Sequence, residues 1–290
     1  MAESKDVDQV TGVETTGHSW DGIKELNNPL PRWWLWTFYG CIAFALVYTI
    51  LYPAWPMIHS ATPGLLGWSS RAELGRQMAA VNAANAEKLQ AIGKLDVEAI
   101  AADPKLRPMA IAAGRAAFKV NCVQCHGSGA EGGVGYPNLN DDSWLWGGSL
   151  AAIHTTLEDG IRYATDDNTR VSEMPAFGRD GILTRDQISD VAWYVRKISG
   201  QETDSAAAGR GAQIFADNCA ACHGESGQGN RDVGAPRLND AIWLYSGSHA
   251  AIMAQVTNPR HGVMPAWGAR LGETTVKELA VYVHSLGGGE

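Results

Sequence analysis

The sequence predicts an all-α protein: one transmembrane helix near the N-terminus, then two tandem copies of a small helical domain. Three observations predict it. Residues 33–52 form an apolar run with no charge in it. From about residue 108 the chain repeats itself. Each copy closes on an amphipathic helical pattern, and no stretch carries a convincing strand pattern.

The first 19 residues are polar, mixed and without periodicity, so they are expected to be disordered. Pro29 and Pro31 then argue against a helix running unbroken from this leader into the apolar run. A helix of about 20 residues rises about 30 Å, enough to cross a bilayer core. Trp33, Trp34 and Trp36 crowd one end of the run, and Tyr52 and Trp55 the other, the placement expected at the two membrane interfaces. The run is too long for the apolar core of a cleaved signal peptide, and an acidic leader precedes it. Cys41 inside it faces lipid or a partner helix and needs no functional role. Lys24 and Arg32 lie before the run and Arg71 is the nearest basic residue after it, which favours an N-terminus on the inner side.

Pro53, Pro56, Pro63, Gly64 and Gly67 mark a linker. Residues 69–92 are Ala-rich and proline-free, with Ser69 or Ser70 as N-cap and Glu73 in the first turn, which predicts a helix. A shorter helix is expected over 96–102, with Pro104 and Pro108 punctuating the approach to the first repeat.

The duplication is read position by position. Gly114 and Phe118 in the first copy match Gly211 and Phe215 in the second, each phenylalanine four residues before a cysteine. Leu139-Asn140-Asp141 with Trp144-Leu145 matches Leu238-Asn239-Asp240 with Trp243-Leu244. Terminal helices are expected over 186–198 and 275–286, with Val191 and Tyr194 answering Leu279 and Tyr282 on one face of each. Gly200 opens the linker between the copies, which runs to Ala208.

The chemistry lies in Cys122-Val123-Gln124-Cys125-His126 and Cys219-Ala220-Ala221-Cys222-His223. C-x-x-C-H is the attachment signature of c-type haem. Two thiols add to the two porphyrin vinyl groups, and the adjacent histidine comes under the iron. An electron-transfer haem needs a second axial ligand, and thioether sulfur raises its potential. Met174 in Met174-Pro175-Ala176-Phe177-Gly178 and Met264 in Met264-Pro265-Ala266-Trp267-Gly268 are the candidates. Taken within each copy, 48 residues separate His126 from Met174 (174 − 126) and 41 separate His223 from Met264 (264 − 223). Both spans leave room to cross to the far face of a porphyrin. His154, His249, His261 and His284 compete for the distal position, His261 foremost because it lies three residues before Met264; otherwise it would be a surface or propionate contact. Trp144, Trp243, Tyr163 and Arg162 are candidates to line a haem pocket or bond a propionate, or are core residues without such a role. A redox dithiol or zinc site would explain a lone C-x-x-C, but neither accounts for both histidines, both methionines and the duplication together.

This is the layout of two class I cytochrome c domains. In each, the first and last helices are expected to cross where a glycine (Gly114, Gly211) admits an aromatic ring (Tyr194, Tyr282). Haem of this kind is attached outside the bacterial inner membrane. That divides the chain into a cytoplasmic segment over 1–32, a transmembrane helix over 33–55, a periplasmic linker with helices over 56–107, and cytochrome c domains over 108–200 and 205–290. A methionine on each iron disfavours oxygen or peroxide chemistry and favours outer-sphere electron transfer. The net charge of −8 excludes the basic footprint of a nucleic-acid-binding protein. Of five cysteines four belong to the motifs, leaving no pair for a structural disulfide.

One family carries these features together. Asp21-Gly22-Ile23-Lys24-Glu25-Leu26-Asn27-Asn28-Pro29-Leu30-Pro31-Arg32-Trp33-Trp34 resembles the N-terminal signature of the dihaem subunit III of cbb3-type cytochrome c oxidases, called CcoP or FixP. Tyr52-Pro53-Ala54-Trp55-Pro56 and Ser70-Arg71-Ala72-Glu73-Leu74-Gly75 continue the resemblance, and the two haem repeats complete it. The resemblance implies two covalently bound haem c groups. Cys122, Cys125, Cys219 and Cys222 would form the thioethers, His126 and His223 the proximal ligands, and Met174 and Met264 the distal ones. It also implies a role in oxygen reduction and proton pumping by a larger enzyme. Electrons would arrive from a cytochrome c donor and leave through the monohaem subunit for the catalytic haem–copper subunit, whose centre lies outside this chain. A freestanding, membrane-tethered dihaem shuttle is the alternative.

Overall fold

The computed structural model describes residues 6–289. The chain divides into two compact units, residues 1–84 and 85–290, and the division falls inside a helix.

The first unit begins with a departure from expectation. Strands β1 (Thr15–Trp20) and β2 (Ile23–Leu26) form an antiparallel hairpin where a structureless leader was expected. Its turn is Asp21-Gly22, both with positive φ (49° and 84°), the geometry that matches the right-handed twist of paired strands. Apart from Thr15 the hairpin lacks a buried face, so its residues show no apolar alternation to read. Asp6 anchors it, accepting from Lys24 Nζ at 2.8 Å and Thr15 Oγ1 at 2.8 Å. Residues 1–5, also in the stretch expected to be disordered, lie outside the described residues.

The hairpin leads into α1 (Arg32–Leu51), 20 residues long, with mean hydropathy 1.7 and no buried residue. It is long and apolar enough to cross a membrane. It starts directly after Pro31 and ends before Pro53, where Tyr52 is extended as a residue preceding proline should be. The Leu65 and Leu66 amides donate to the Ile50 and Leu51 carbonyls at 2.9 and 3.1 Å, satisfying groups that a helix end leaves open. Tyr48 stacks on Tyr52 at 4.8 Å, and Trp68 meets Tyr52 edge-on at 5.9 Å. Helix α2 (Ser70–Lys94) follows, its first turn capped by the Ser69 hydroxyl.

In the second unit, α3 (Val97–Ala102) and α4 (Arg107–Asn121) precede the first haem motif, which forms the one-turn helix α5 (Val123–His126). Helices α6 (Leu150–Asp159) and α7 (Arg185–Ile198) complete the first repeat. The second repeats the order with α8 (Ser205–Asn218), α9 (Ala220–His223), α10 (His249–Thr257), α11 (Gly268–Leu271) and α12 (Glu273–His284).

The expected glycine crossings form, but between repeats instead of within them. A Cβ on Gly114 of α4 would overlap the Glu278 carbonyl oxygen and the Tyr282 Cβ of α12. A Cβ on Gly211 of α8 would overlap the Asp190 carbonyl oxygen of α7. The two repeats thus exchange their last helices. One lobe buries Phe118, Ile153, Leu157, Val276, Leu279 and Val283 together. The other buries Phe177, Ile188, Val191, Phe215, Ile252 and Val256. The reason lies in the connection between α7 and α8. Ile198 ends one helix and Ser205 begins the next, so consecutive amphipathic helices fold against each other as a hairpin. α7 has the Thr184–Gln187 capping box at its start and Arg196 and Lys197 in its last turn.

Candidate functional site

The two C-x-x-C-H motifs adopt the same local structure. Cys122 and Cys219 each cap the preceding helix, donating to the Phe118 and Phe215 carbonyls at 2.8 Å. In both motifs the first cysteine is buried and the second exposed. Burial pushes the Cys122 and Cys219 thiols up to about 11, as unreacted thiols in apolar surroundings.

Each histidine is oriented by a proline carbonyl. His126 Nδ1 lies 3.1 Å from the Pro137 oxygen, and His223 Nδ1 lies 2.9 Å from the Pro236 oxygen. A carbonyl only accepts, so Nδ1 carries the hydrogen and the Nε2 lone pair is left for a metal. Burial lowers both imidazoles below their ordinary value, favouring the neutral form that ligates. These partners were missed in the sequence, although a signal existed: Pro137-Asn138-Leu139-Asn140 and Pro236-Arg237-Leu238-Asn239 repeat the proline two residues before the matched leucine.

The methionines are also exchanged. Met264 shares an apolar cleft with Cys122, His126, Phe118, Leu157 and Val283. Its backbone pairs with Ile161 in both directions, at 2.9 and 3.0 Å, and a Cβ on Gly160 (φ 71°) would overlap its carbonyl oxygen. The chain beyond it docks on the end of α6, where the Trp267 amide donates to the Leu157 carbonyl at 2.9 Å. Met174 packs instead with the cluster that buries Cys219, Phe215 and Ile252. There the Arg179 amide donates to the Thr257 carbonyl at 2.9 Å, at the end of α10. The structure thus places Met264 beside His126 and Met174 beside Cys219, crosswise to the spans of 48 and 41 residues taken within each copy. The cause is the same α7–α8 hairpin, which carries each methionine segment over with its helix.

The cleft fits a porphyrin by its chemistry: its lining brings together the Cys122 thiol, the oriented His126 imidazole, the Met264 thioether and apolar side chains, with Cys125 exposed beside it in the same motif. Among the described residues no three His, Cys, Asp or Glu side chains gather into a metal-binding cluster. The competing histidines have other surroundings. His154 Nδ1 lies 3.6 Å from Glu158, His249 stacks on Trp193 at 4.0 Å, and His284 lies in the last turn of α12. His261 Nε2 accepts from the Met174 amide at 3.1 Å. Trp144 lines the cleft and donates through Nε1 to the Gly288 carbonyl. Trp146, missed in the sequence, lines it too, with the Arg170 guanidinium over its ring at 5.4 Å. Trp243 packs in the second lobe. Tyr163 donates its amide to Thr169 Oγ1 at 3.1 Å, and Arg162 bonds backbone carbonyls.

Helical lobes of this construction, behind an N-terminal membrane-spanning helix, define a membrane-anchored c-type cytochrome. Three family models match the chain: the N-terminal domain of cytochrome oxidase-cbb3, FixP, over residues 12–59; cytochrome c over 111–199; and cytochrome c oxidase, cbb3-type, subunit III, over 206–283. The chain is 61% identical over 276 residues to the cbb3-type cytochrome c oxidase subunit CcoP of Cereibacter sphaeroides, covering 95% of each. It is 56% identical over 286 residues to the subunit FixP of Sinorhizobium medicae, covering 99% of this chain and 98% of that one. It is 52% identical over 293 residues to the CcoP of Azospirillum brasilense, covering 99% of each. The chain belongs to the CcoP/FixP family of cbb3-type cytochrome c oxidase subunits, and its cytochrome c domains imply covalently bound haem c.

Proposed function

We propose that this chain is the electron-entry subunit of its oxidase and carries two haems with exchanged distal ligands. Cys122, Cys125, His126 and Met264 would hold one; Cys219, Cys222, His223 and Met174 would hold the other. The observation that carries the pairing is the cleft shared by His126 and Met264. Bound haem supplies reversible one-electron transfer. The chain's own part is to hold and tune it. The thiols fix each porphyrin, and the Pro137 and Pro236 carbonyls set the imidazole tautomer. The methionine sulfurs would ligate the iron and raise its potential. Apolar walls exclude water. Closed positions suit outer-sphere transfer from a cytochrome c donor, onward through a monohaem subunit to a catalytic haem–copper subunit where oxygen is reduced. Helix α1 anchors the chain in lipid of the bacterial inner membrane, with the haem lobes on the periplasmic side, where c-type haem is attached.

Two experiments test this. Extraction in mild detergent should bring out haem b absorbance and oxygen uptake together with this chain; a chain running alone would make it a free shuttle, a reading the FixP-type N-terminal match disfavours. Pairing is tested by removing the first haem through Cys122→Ala with Cys125→Ala. The remaining haem should lose thioether ligation on substitution of Met174 and keep it on substitution of Met264. The reverse result would restore the within-repeat pairing.

A further inference from the structure

The two methionine segments meet at Arg162, in the turn after α6. Its Nε donates to the Gly262 carbonyl at 2.7 Å and its Nη1 to the Ser172 carbonyl at 2.8 Å. Gly262 stands two residues before Met264, and Ser172 two residues before Met174. One planar guanidinium therefore braces both methionine segments at the same relative position. Arg162 itself sits at φ 52°, a backbone region costly for a side chain with a Cβ and retained where surrounding contacts demand it. Its own amide is tied to the Arg170 carbonyl at 2.8 Å, and the preceding residue, Ile161, makes the two-way backbone pair with Met264. Across the same crossing, His261 Nε2 accepts the Met174 amide, so the segment that bears one methionine also anchors the other.

We propose that Arg162 and His261 form a clasp that positions both distal methionines, so that the two haem sites share one mechanical support. Arg162 is a positioning residue for both thioethers, and His261 for Met174 alone. The rigid fork matters here: charge-assisted bonds from two donors of one plane hold two carbonyls at a set separation, which a neutral or flexible side chain does not reproduce. The two irons are thereby coupled through the chain, since loosening the clasp loosens both ligands together.

This rests on the ligand reading above, and the test separates the two. The full-length chain carrying its haems is purified in detergent. Thioether-ligated ferric haem is counted from its far-red absorption band, normalised to pyridine haemochrome, and both midpoint potentials are titrated. Met174→Ala and Met264→Ala should each remove half of the band; if neither does, the ligand reading fails. With that control in place, Arg162→Gln should remove more than half of the band and lower both potentials. His261→Leu should remove up to half, from the haem on His223, while His261→Gln, which keeps an acceptor, should retain the full band. A full band in Arg162→Gln, or a change confined to one haem, as a propionate contact would produce, overturns the clasp. Should Arg162→Gln fail to assemble, the histidine pair decides: a full band in His261→Leu overturns it, and loss in Leu with retention in Gln supports it.

Discussion

The ring of Phe118 on α4 meets Tyr282 on α12 edge-on, with centroids 5.5 Å apart and planes at 61°. Tyr194 on α7 and Phe215 on α8 repeat the contact in the other lobe, at 5.1 Å and 51°. Each pair joins a helix that precedes one haem motif to the last helix of the other repeat. Neither repeat contains a complete lobe, so the residues proposed to hold each haem come from both halves of the duplication. A protein duplicated in this way is not two beads on a string, since each repeat contributes helices to both lobes.

The glycine crossings leave no room between the facing helices. At Gly114 and Gly211 an added Cβ would strike a backbone carbonyl of the facing helix, which cannot swing aside as a side chain could. Gly114→Val or Gly211→Val should each destabilise by about 3 kcal/mol or more. Gly211→Val should loosen the lobe of His223 and Met174, leaving the band of the other haem. The far-red band followed through thermal unfolding shows which lobe yields first. Loss of the His126 haem's ligation first would mean that α8 belongs with α12 after all.

Phe118 and Phe215 are each 1% exposed and fill equivalent places in separate cores. Truncation to alanine should cost about 3–5 kcal/mol at either site. The two losses should add to within about 0.5 kcal/mol, because the residues share no partner. Denaturant midpoints of the single and double variants measure this, and a strongly non-additive double variant would show that the cores are one.

Much of this was legible in the sequence because it depends on local spacing. The C-x-x-C-H motifs and the repeated Met-Pro-Ala-aromatic-Gly segments are short patterns, and α1, α2 and α3 begin and end within a few residues of where capping and proline place them. What was not legible is pairing between distant elements. Two repeats with the same helix faces can close on themselves or on each other, and periodicity is identical in both cases. The short chain between Ile198 and Ser205 was the usable signal, since it keeps α7 and α8 adjacent. The β1–β2 hairpin escaped for another reason: with both faces exposed almost throughout it has no apolar alternation, and only Asp21-Gly22 announces its turn. The Arg162 and His261 contacts depend on the exchange and could not be anticipated without it.

Exchange of the methionines gives a counter-intuitive result for a ligand swap. Met174→His should lower the potential of the haem anchored by Cys219 and Cys222, although Met174 lies in the first repeat, and should leave the thioether attachment intact. Potentiometric titration of a chain with the first motif's cysteines replaced isolates that haem. An unchanged midpoint would remove Met174 from the iron.

Glu278 of α12 offers a test of the other lobe, that of Phe118 and Met264, through pH. It is 5% exposed, and its Oε1 is buried without a hydrogen-bond partner. Burial pushes its carboxyl from an ordinary 4.5 up to about 7. Below about 4.5 both the folded and unfolded chains hold the proton, and the group contributes no pH dependence. Between about 4.5 and about 7 the folded chain keeps a proton that the unfolded chain has released. Stability therefore falls as pH rises through this window and levels off above it, the total being on the order of 3 kcal/mol at most. Glu278→Gln removes the titration. The variant should match the native chain at the acid end of the window and exceed its stability above it, with a flatter profile between. Denaturant unfolding at pH values spanning the window measures both profiles, and parallel slopes in the two proteins would show that Glu278 is solvated and that α12 packs less tightly against α4 than Gly114 requires.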